Sequence, residues 1–133
     1  MKHDSLFEIF TAFRNGELTA CELNERTSAR YDQTLGAYKS WLPEIARATA
    51  RRADGMFSDG SDLGPLQGIP VSVKDLYNVE GTQTFAGSPA PIPDKLMAEG
   101  PLIRDLRGQQ AVFTGKTHTV EFAFGGLGVN SHW

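Results

Sequence analysis

The sequence predicts an α/β protein, with an N-terminal helical arm leading into the first strands and helices of a layered sheet. Three observations predict it. Capping-box pairs open helical spacing twice near the start, Ser5 with Glu8 and Thr19 with Glu22. Ile69, Val71 and Val73 then alternate with Pro70, Ser72 and Lys74, the period of a two-faced strand. Finally, a helical stretch from Pro101 runs into the apolar Ala111-Val112-Phe113-Thr114. Helix followed by strand is the second half of a β-α-β crossover, which sets the two strands parallel.

Leu6, Ile9, Phe10 and Phe13 recur at helical spacing until Asn15-Gly16 stops them. Phe7, Phe10 and Phe13 are expected along one side of this helix, making it an arm outside the core and a candidate homodimer surface. A second helix, with Leu23 and Tyr31 on its thin apolar side, is expected to run to about Thr34, before Gly36. Ala37 to Leu42 reads as an extended piece whose Tyr38 and Trp41 rings seek burial. Pro43 suits the first turn of a third helix with a small-residue face of Ala46, Thr49 and Ala50. Arg47, Arg51 and Arg52 on it are either a solvated face or a phosphate or RNA contact. Phe57 to Asp62 reads as a polar linker, dividing a helical arm (1–55) from the start of the α/β core (63–133).

Gly64-Pro65 and Gly68 punctuate the approach to the Ile69–Lys74 strand, and Pro70 sits near its start, where a missing N–H costs least. Lys74 shares a face with Ser72. A lysine drawn partly out of water loses stabilisation of its charged form and becomes available as a base. Alternatively it is a strand lysine that reaches solvent or pairs with Asp75. After this strand, Pro89, Pro91 and Pro93 force an irregular path from Gly81 to Asp94. The helix from Pro101 should end about Gln109 and pack over the sheet. Only two strands are convincing, and two do not make a stable sheet, so apolar surface near Phe122 and Phe124 is expected to lack cover.

Composition narrows the functional classes. The chain has 133 residues, a net charge of −3 and no run of Lys or Arg, which argues against a nucleic-acid surface. Cys21 is the single cysteine, so no intrachain disulfide is implied and a cytoplasmic location is the default. No stretch approaches the apolar length of a membrane span, and the N-terminus does not read as a signal peptide. His3, His118 and His132 have no metal-gathering spacing, so neither a metal nor a cofactor is expected. Gly115-Lys116-Thr117 is not a phosphate loop, because the glycine required five residues earlier is Gln110. The turn Gly125-Gly126-Leu127-Gly128 lacks a strand-loop-helix context for a dinucleotide. Ser, His and Asp can be combined into a triad only on paper.

Gly64-Pro65-Leu66-Gln67-Gly68-Ile69-Pro70-Val71-Ser72-Val73-Lys74-Asp75 resembles the lysine-bearing strand of the amidase-signature family. Thr84 to Ser88, Ala111 to Thr117 and Glu121 to Gly125 resemble later blocks of that family, in the same order. The resemblance is strong from about Leu63 to Trp133. It implies an α/β/α mixed sheet and hydrolysis of a small-molecule carboxylic amide by a Ser, a bridging Ser and a Lys, with Lys74 the base. The family's Gly-Gly-Ser-Ser-Gly-Gly-type block does not occur before Trp133, so the chain is expected to be an N-terminal piece, inactive alone. Thr84 and Ser88 would then lie near the site, either as hydrogen-bond donors or in their commoner role of stabilising their own loop. Phe124, Gly125 and Gly126 would shape the substrate cavity. A different class of reading is a non-catalytic truncated or split-gene product that acts only by association with a C-terminal half, or a piece of a glutamyl-amidotransferase-like subunit.

Overall fold

The structure, a computed structural model, describes residues 5–133; His3, considered above as a metal ligand, lies outside them. Helix α1 (Leu6–Arg14) and helix α2 (Ala20–Ser28) each open on a complete capping box, Ser5 with Glu8 and Thr19 with Glu22. Each box satisfies reciprocal backbone donors that a helix start leaves without partners. Asp54 adds a second cap to α2, accepting from the N–H groups of Ala20 and Cys21 at 2.6 and 3.0 Å. Helix α2 stops at Ser28, short of the expected Thr34, and Gln33–Leu35 form a separate 3-10 turn capped by Asp32 and closed by Gly36 at φ 58°.

Strand β1 (Tyr38–Trp41) occupies the stretch expected to be extended, and α3 (Pro43–Ser58) begins on its proline. Helix α3 absorbs Phe57 and Ser58, which the sequence assigned to the linker. Phe57 has a reason to be helical, since its ring packs 5.7 Å from that of Phe13. Strand β2 (Pro70–Lys74), helix α4 (Pro101–Gly108) and strand β3 (Val112–Thr117) follow. Gly81 to Pro93 holds no regular element, as the prolines require.

The sheet has three strands in the order β1-β3-β2, so the two-strand expectation falls short by β1. The β2–β3 pair is parallel, as the crossover predicts, while β1 runs antiparallel on the other side of β3. Recognising β1 required its partner: four residues with two large aromatics carry little periodicity of their own. Tyr31 stacks on Trp41 at 4.4 Å with Tyr38 edge-on, closing the outer side of β1. Gly115 makes the β1 approach feasible, because a Cβ there would lie 2.6 Å from the Ser40 carbonyl oxygen and from the Tyr38 ring.

Two apolar clusters hold the layers together. One joins Ala12, Phe13, Leu18, Ala20 and Leu23 to Ala46, Ala50 and Ala53 of α3 and to Ile69 and Val112. The other joins Val73, Val79 and Phe113 to Ile103 of α4. Along β3 the adjacent side chains of Val112 and Phe113 thus turn to the first three helices and to α4 respectively, which sets those helices on opposite faces of the sheet. Helix α1 is therefore part of the core and not an arm. Its three phenylalanines do not behave alike: Phe13 is buried at 4% exposure, Phe10 is half-buried and Phe7 is 75% exposed. Residues three and six apart turn progressively away from one another around a helix, so Phe13 can face the core while Phe7 faces water. The segment before β2 is pinned by buried Gln67, whose side chain donates to Ala53 and Ser61 carbonyls and accepts from Leu63 N–H.

Candidate active site at the strand ends

The site is built where β2 and β3 end and β1 begins. In register, Lys74 and Tyr38 both face Thr117 of the central strand, which brings Lys74, Lys39 and His118 to one end of the sheet. The carboxyl ends of parallel strands are where open α/β sheets place their ligands. Lys74 closes β2, as expected, but it is exposed rather than partly buried. The cause lies in its face. Pro70, Ser72 and Lys74 alternate on the side where the first three helices pack, yet those helices cover Val112, the ladder partner of Pro70, and leave Ser72 and Lys74 in solvent. No hydrogen bond or ion pair joins the Lys74 ammonium to another described residue.

The buried lysine is instead Lys116. It pairs with Val73 across the ladder, on the face opposite Lys74, and is 0% exposed. Its Nζ lies 2.8 Å from Asp75 Oδ1 and donates to Thr84 Oγ1 at 2.8 Å and to the Gln83 carbonyl at 3.3 Å. Two of the ammonium's donors thus make hydrogen bonds, and the Asp75 carboxylate supplies its counter-charge. Asp75 is buried at 1%, and its Oδ2 accepts from Phe85 N–H at 3.0 Å. Asp75 therefore serves Lys116, not Lys74.

Thr84 is wholly buried; its hydroxyl accepts from Lys116 and donates to the Tyr77 carbonyl at 3.5 Å. Ser88 is half-buried, with its N–H closing a turn on Phe85. Phe124, Gly125 and Gly126 lie elsewhere, lining a shallow cavity of about 380 Å³ with Val120, Leu127 and Asn130, and Phe124 is 97% exposed. The Lys74 side chain does not line that cavity. Thr84 thus joins the strand-end cluster through Lys116, while the tail residues remain apart from it.

Lys39 and His118 complete the electrostatics. Lys39 Nζ sits 3.1 Å from the Trp133 ring centre and 4.3 Å from that of Phe85, and burial lowers its pKa, partly offset by Asp75. Burial also lowers the pKa of His118, helped by the charge of Lys39 and opposed by Asp75. Sequence patterns do not single out Lys39, and they bring up Lys116 only in the rejected phosphate loop and within the Ala111 to Thr117 block, with no role for it. The signal for Lys116 was a lysine two residues beyond an apolar run, in a strand that extends to Thr117. Among the described residues no group of His, Cys, Asp and Glu is gathered for a metal, and no helix is long and apolar enough to cross a membrane.

A three-layer α/β unit with a lysine at the carboxyl end of a parallel strand, backed by a buried Asp-Lys pair, defines the class. The chain belongs to the amidase family, whose family model matches residues 22–132. It is 50% identical over 134 residues to a 2-amino-5-chloromuconic acid deaminase of Comamonas testosteroni, covering 98% of this chain and 29% of that protein. It is 37% identical to a glutamyl-tRNA(Gln) amidotransferase subunit from Chloroflexus aurantiacus, covering 90% of this chain and 25% of that protein. A solved amidase structure superposes with a TM-score of 0.82 at 33% identity, covering 92% of this chain and 28% of that one. The chain therefore spans between a quarter and a third of the length of these relatives.

Proposed function

We propose that this chain is the lysine-bearing part of an enzyme that hydrolyses a carboxylic amide to acid and ammonia or amine, with Lys74 as the base. The observation that carries the proposal is Lys74 itself. It stands at the carboxyl end of β2 without a hydrogen bond or ion pair to another described residue, in a stretch that the amidase family model covers. The serine nucleophile and the bridging serine are assigned to sequence outside these 133 residues, and packing of that sequence over the Ser72–Lys74 face would draw the ammonium out of water and favour its neutral form. Neutral Lys74 takes the proton that the nucleophile releases through the bridging serine. The serine oxygen attacks the carbonyl, the C–N bond breaks as the proton held by Lys74 passes to the leaving nitrogen, and water, losing its proton by the same relay, frees the acid from the acyl-enzyme and restores the serine. Thr84 contributes from behind the site by holding Lys116, and Ser88 by closing the neighbouring turn; Phe124, Gly125 and Gly126 are assigned to the substrate cavity. On this reading the protein is cytoplasmic, has the exposed Phe7 side of α1 as a candidate homodimer contact, and is inactive as 133 residues alone.

The 50% identity to the chloromuconic acid deaminase favours a second reading of the substrate, in which the C–N bond broken is that of an amino-substituted unsaturated acid and ammonia is the product. The experiment is ammonia release from benzamide, glutamine and 2-aminomuconate by the full-length protein and its Lys74→Ala variant. Loss of roughly a hundred- to ten-thousand-fold in turnover is expected for a missing general base. Parental turnover in the variant overturns the assignment, and the preferred substrate decides between the two readings.

A further inference from the structure

We propose that the buried Asp75–Lys116 pair is a positioning device for Lys74; the proposal rests on the reading of Lys74 as the base. Lys74 makes no side-chain hydrogen bond or ion pair with another described residue, so this chain directs its ammonium only through its backbone. That backbone is held to an unusual degree at the next residue. Asp75 N–H donates to the Thr117 carbonyl at 3.0 Å, extending the β2–β3 ladder one step beyond Lys74. Its two carboxylate oxygens are then fixed from different directions, by Lys116 of β3 at 2.8 Å and by Phe85 N–H of the following loop at 3.0 Å. The Lys74 carbonyl itself accepts from Leu76 and Tyr77 N–H at 2.7 and 3.0 Å, closing the turn.

Stability does not account for the pair. Removing two charges from water costs about what their attraction returns, and apolar replacements of similar volume are often neutral or better. The pair lies fully buried beside Val73, the ladder partner of Lys116. What an apolar pair could not do is tie three segments at one point: the end of β2, the Gln83–Phe85 loop and β3. Lys116 reaches the first through Asp75 and the second through Thr84 and Gln83. Lys116 and Asp75 thus act through Lys74 without sharing its face.

The test uses the full-length protein and two variants: Asp75→Asn/Lys116→Met, which removes both charges together, and Asp75→Glu, which keeps them and moves the carboxylate by one methylene. Ammonia release from benzamide, glutamine and 2-aminomuconate is measured across pH, with thermal unfolding and amide hydrogen exchange at Leu76 and Tyr77. The double variant should fold with a Tm close to the parent, lose roughly ten- to a hundredfold in kcat with little change in KM, and exchange faster at both amides, because small misplacements of a catalytic group cost on this scale. The pH limb belonging to Lys74 should also move. Asp75→Glu should show the same pattern more weakly. A double variant with parental kcat and pH profile overturns the proposal, as does a kcat loss in both variants that only follows their loss of Tm. Lys74→Ala is measured in parallel: if it is fully active, or if the parent turns over none of the three substrates, the underlying reading fails and takes the proposal with it. An inactive Lys74→Ala beside parental double and Asp75→Glu variants refutes the positioning role alone.

Discussion

Lys116 and Asp75 form an ion pair of 2.8 Å with side-chain exposures of 0% and 2%, directly behind the strand end that carries Lys74. The pair is costly to break from one side only. Lys116→Met leaves a buried carboxylate without its counter-charge and should destabilise the folded protein by roughly 3–5 kcal/mol. Adding Asp75→Asn should recover a large part of that loss. Urea midpoints of the single and double variants at constant m-value check the expectation.

Gly115 should tolerate no side chain. A Cβ there falls 2.6 Å from Ser40 O and from Tyr38 Cδ1, so backbone and a packed ring both stand in the way. Gly115→Ala is expected to cost roughly 1–3 kcal/mol by overpacking, or to displace β1 from the sheet. Displacement would change Trp41 fluorescence, because its stacking on Tyr31 depends on β1 being docked. Unchanged stability and fluorescence would contradict the close approach.

Glu99 gives the fold an acid-sensitive tether. The hydrogen bond from Arg107 and that from the Glu80 N–H hold its carboxyl below the ordinary carboxylate range, against the opposing effect of burial. A carboxylate with a depressed folded pKa stabilises fully above its unfolded pKa, and the contribution disappears as pH falls through the folded value. Stability should therefore drop on acidification below about pH 4.5, and that part of the drop should vanish in Glu99→Gln. At neutral pH the same variant should lose roughly 1 kcal/mol, since Arg107 is 38% exposed and the pair is partly screened. Unfolding curves between neutral and acid pH measure both.

Cys21 should be a slow thiol. Burial first, and then its hydrogen bond to Asp54, raise its pKa to about 11. At pH 8 only about one thiolate in a thousand would be present, so alkylation by iodoacetamide should lag far behind that of a free cysteine. Asp54→Asn should speed the reaction by weakening the second cause. Labelling at the rate of a model thiol would contradict the half-buried placement beside Asp54.

Local chemistry determined a good deal by itself. The capping boxes at Ser5 and Thr19, the proline starts of α3 and α4, the β2 alternation and the parallel β2–β3 crossover all depend on neighbours within a few turns or one connection, and each was legible in order along the chain. The family, too, was written in linear blocks from Gly64 to Gly125. Tertiary structure alone decided the rest. Strand β1 is a strand because Gly115 admits it beside β3, α1 is core because Phe13 meets Phe57, and the buried lysine is Lys116 because Asp75 and Thr84 converge on it from separate segments. Burial is a property of what the rest of the chain brings to a residue. Period two placed Lys74 on a face, but which face the helices cover, and how far along it they reach, depends on contacts between residues tens of positions apart.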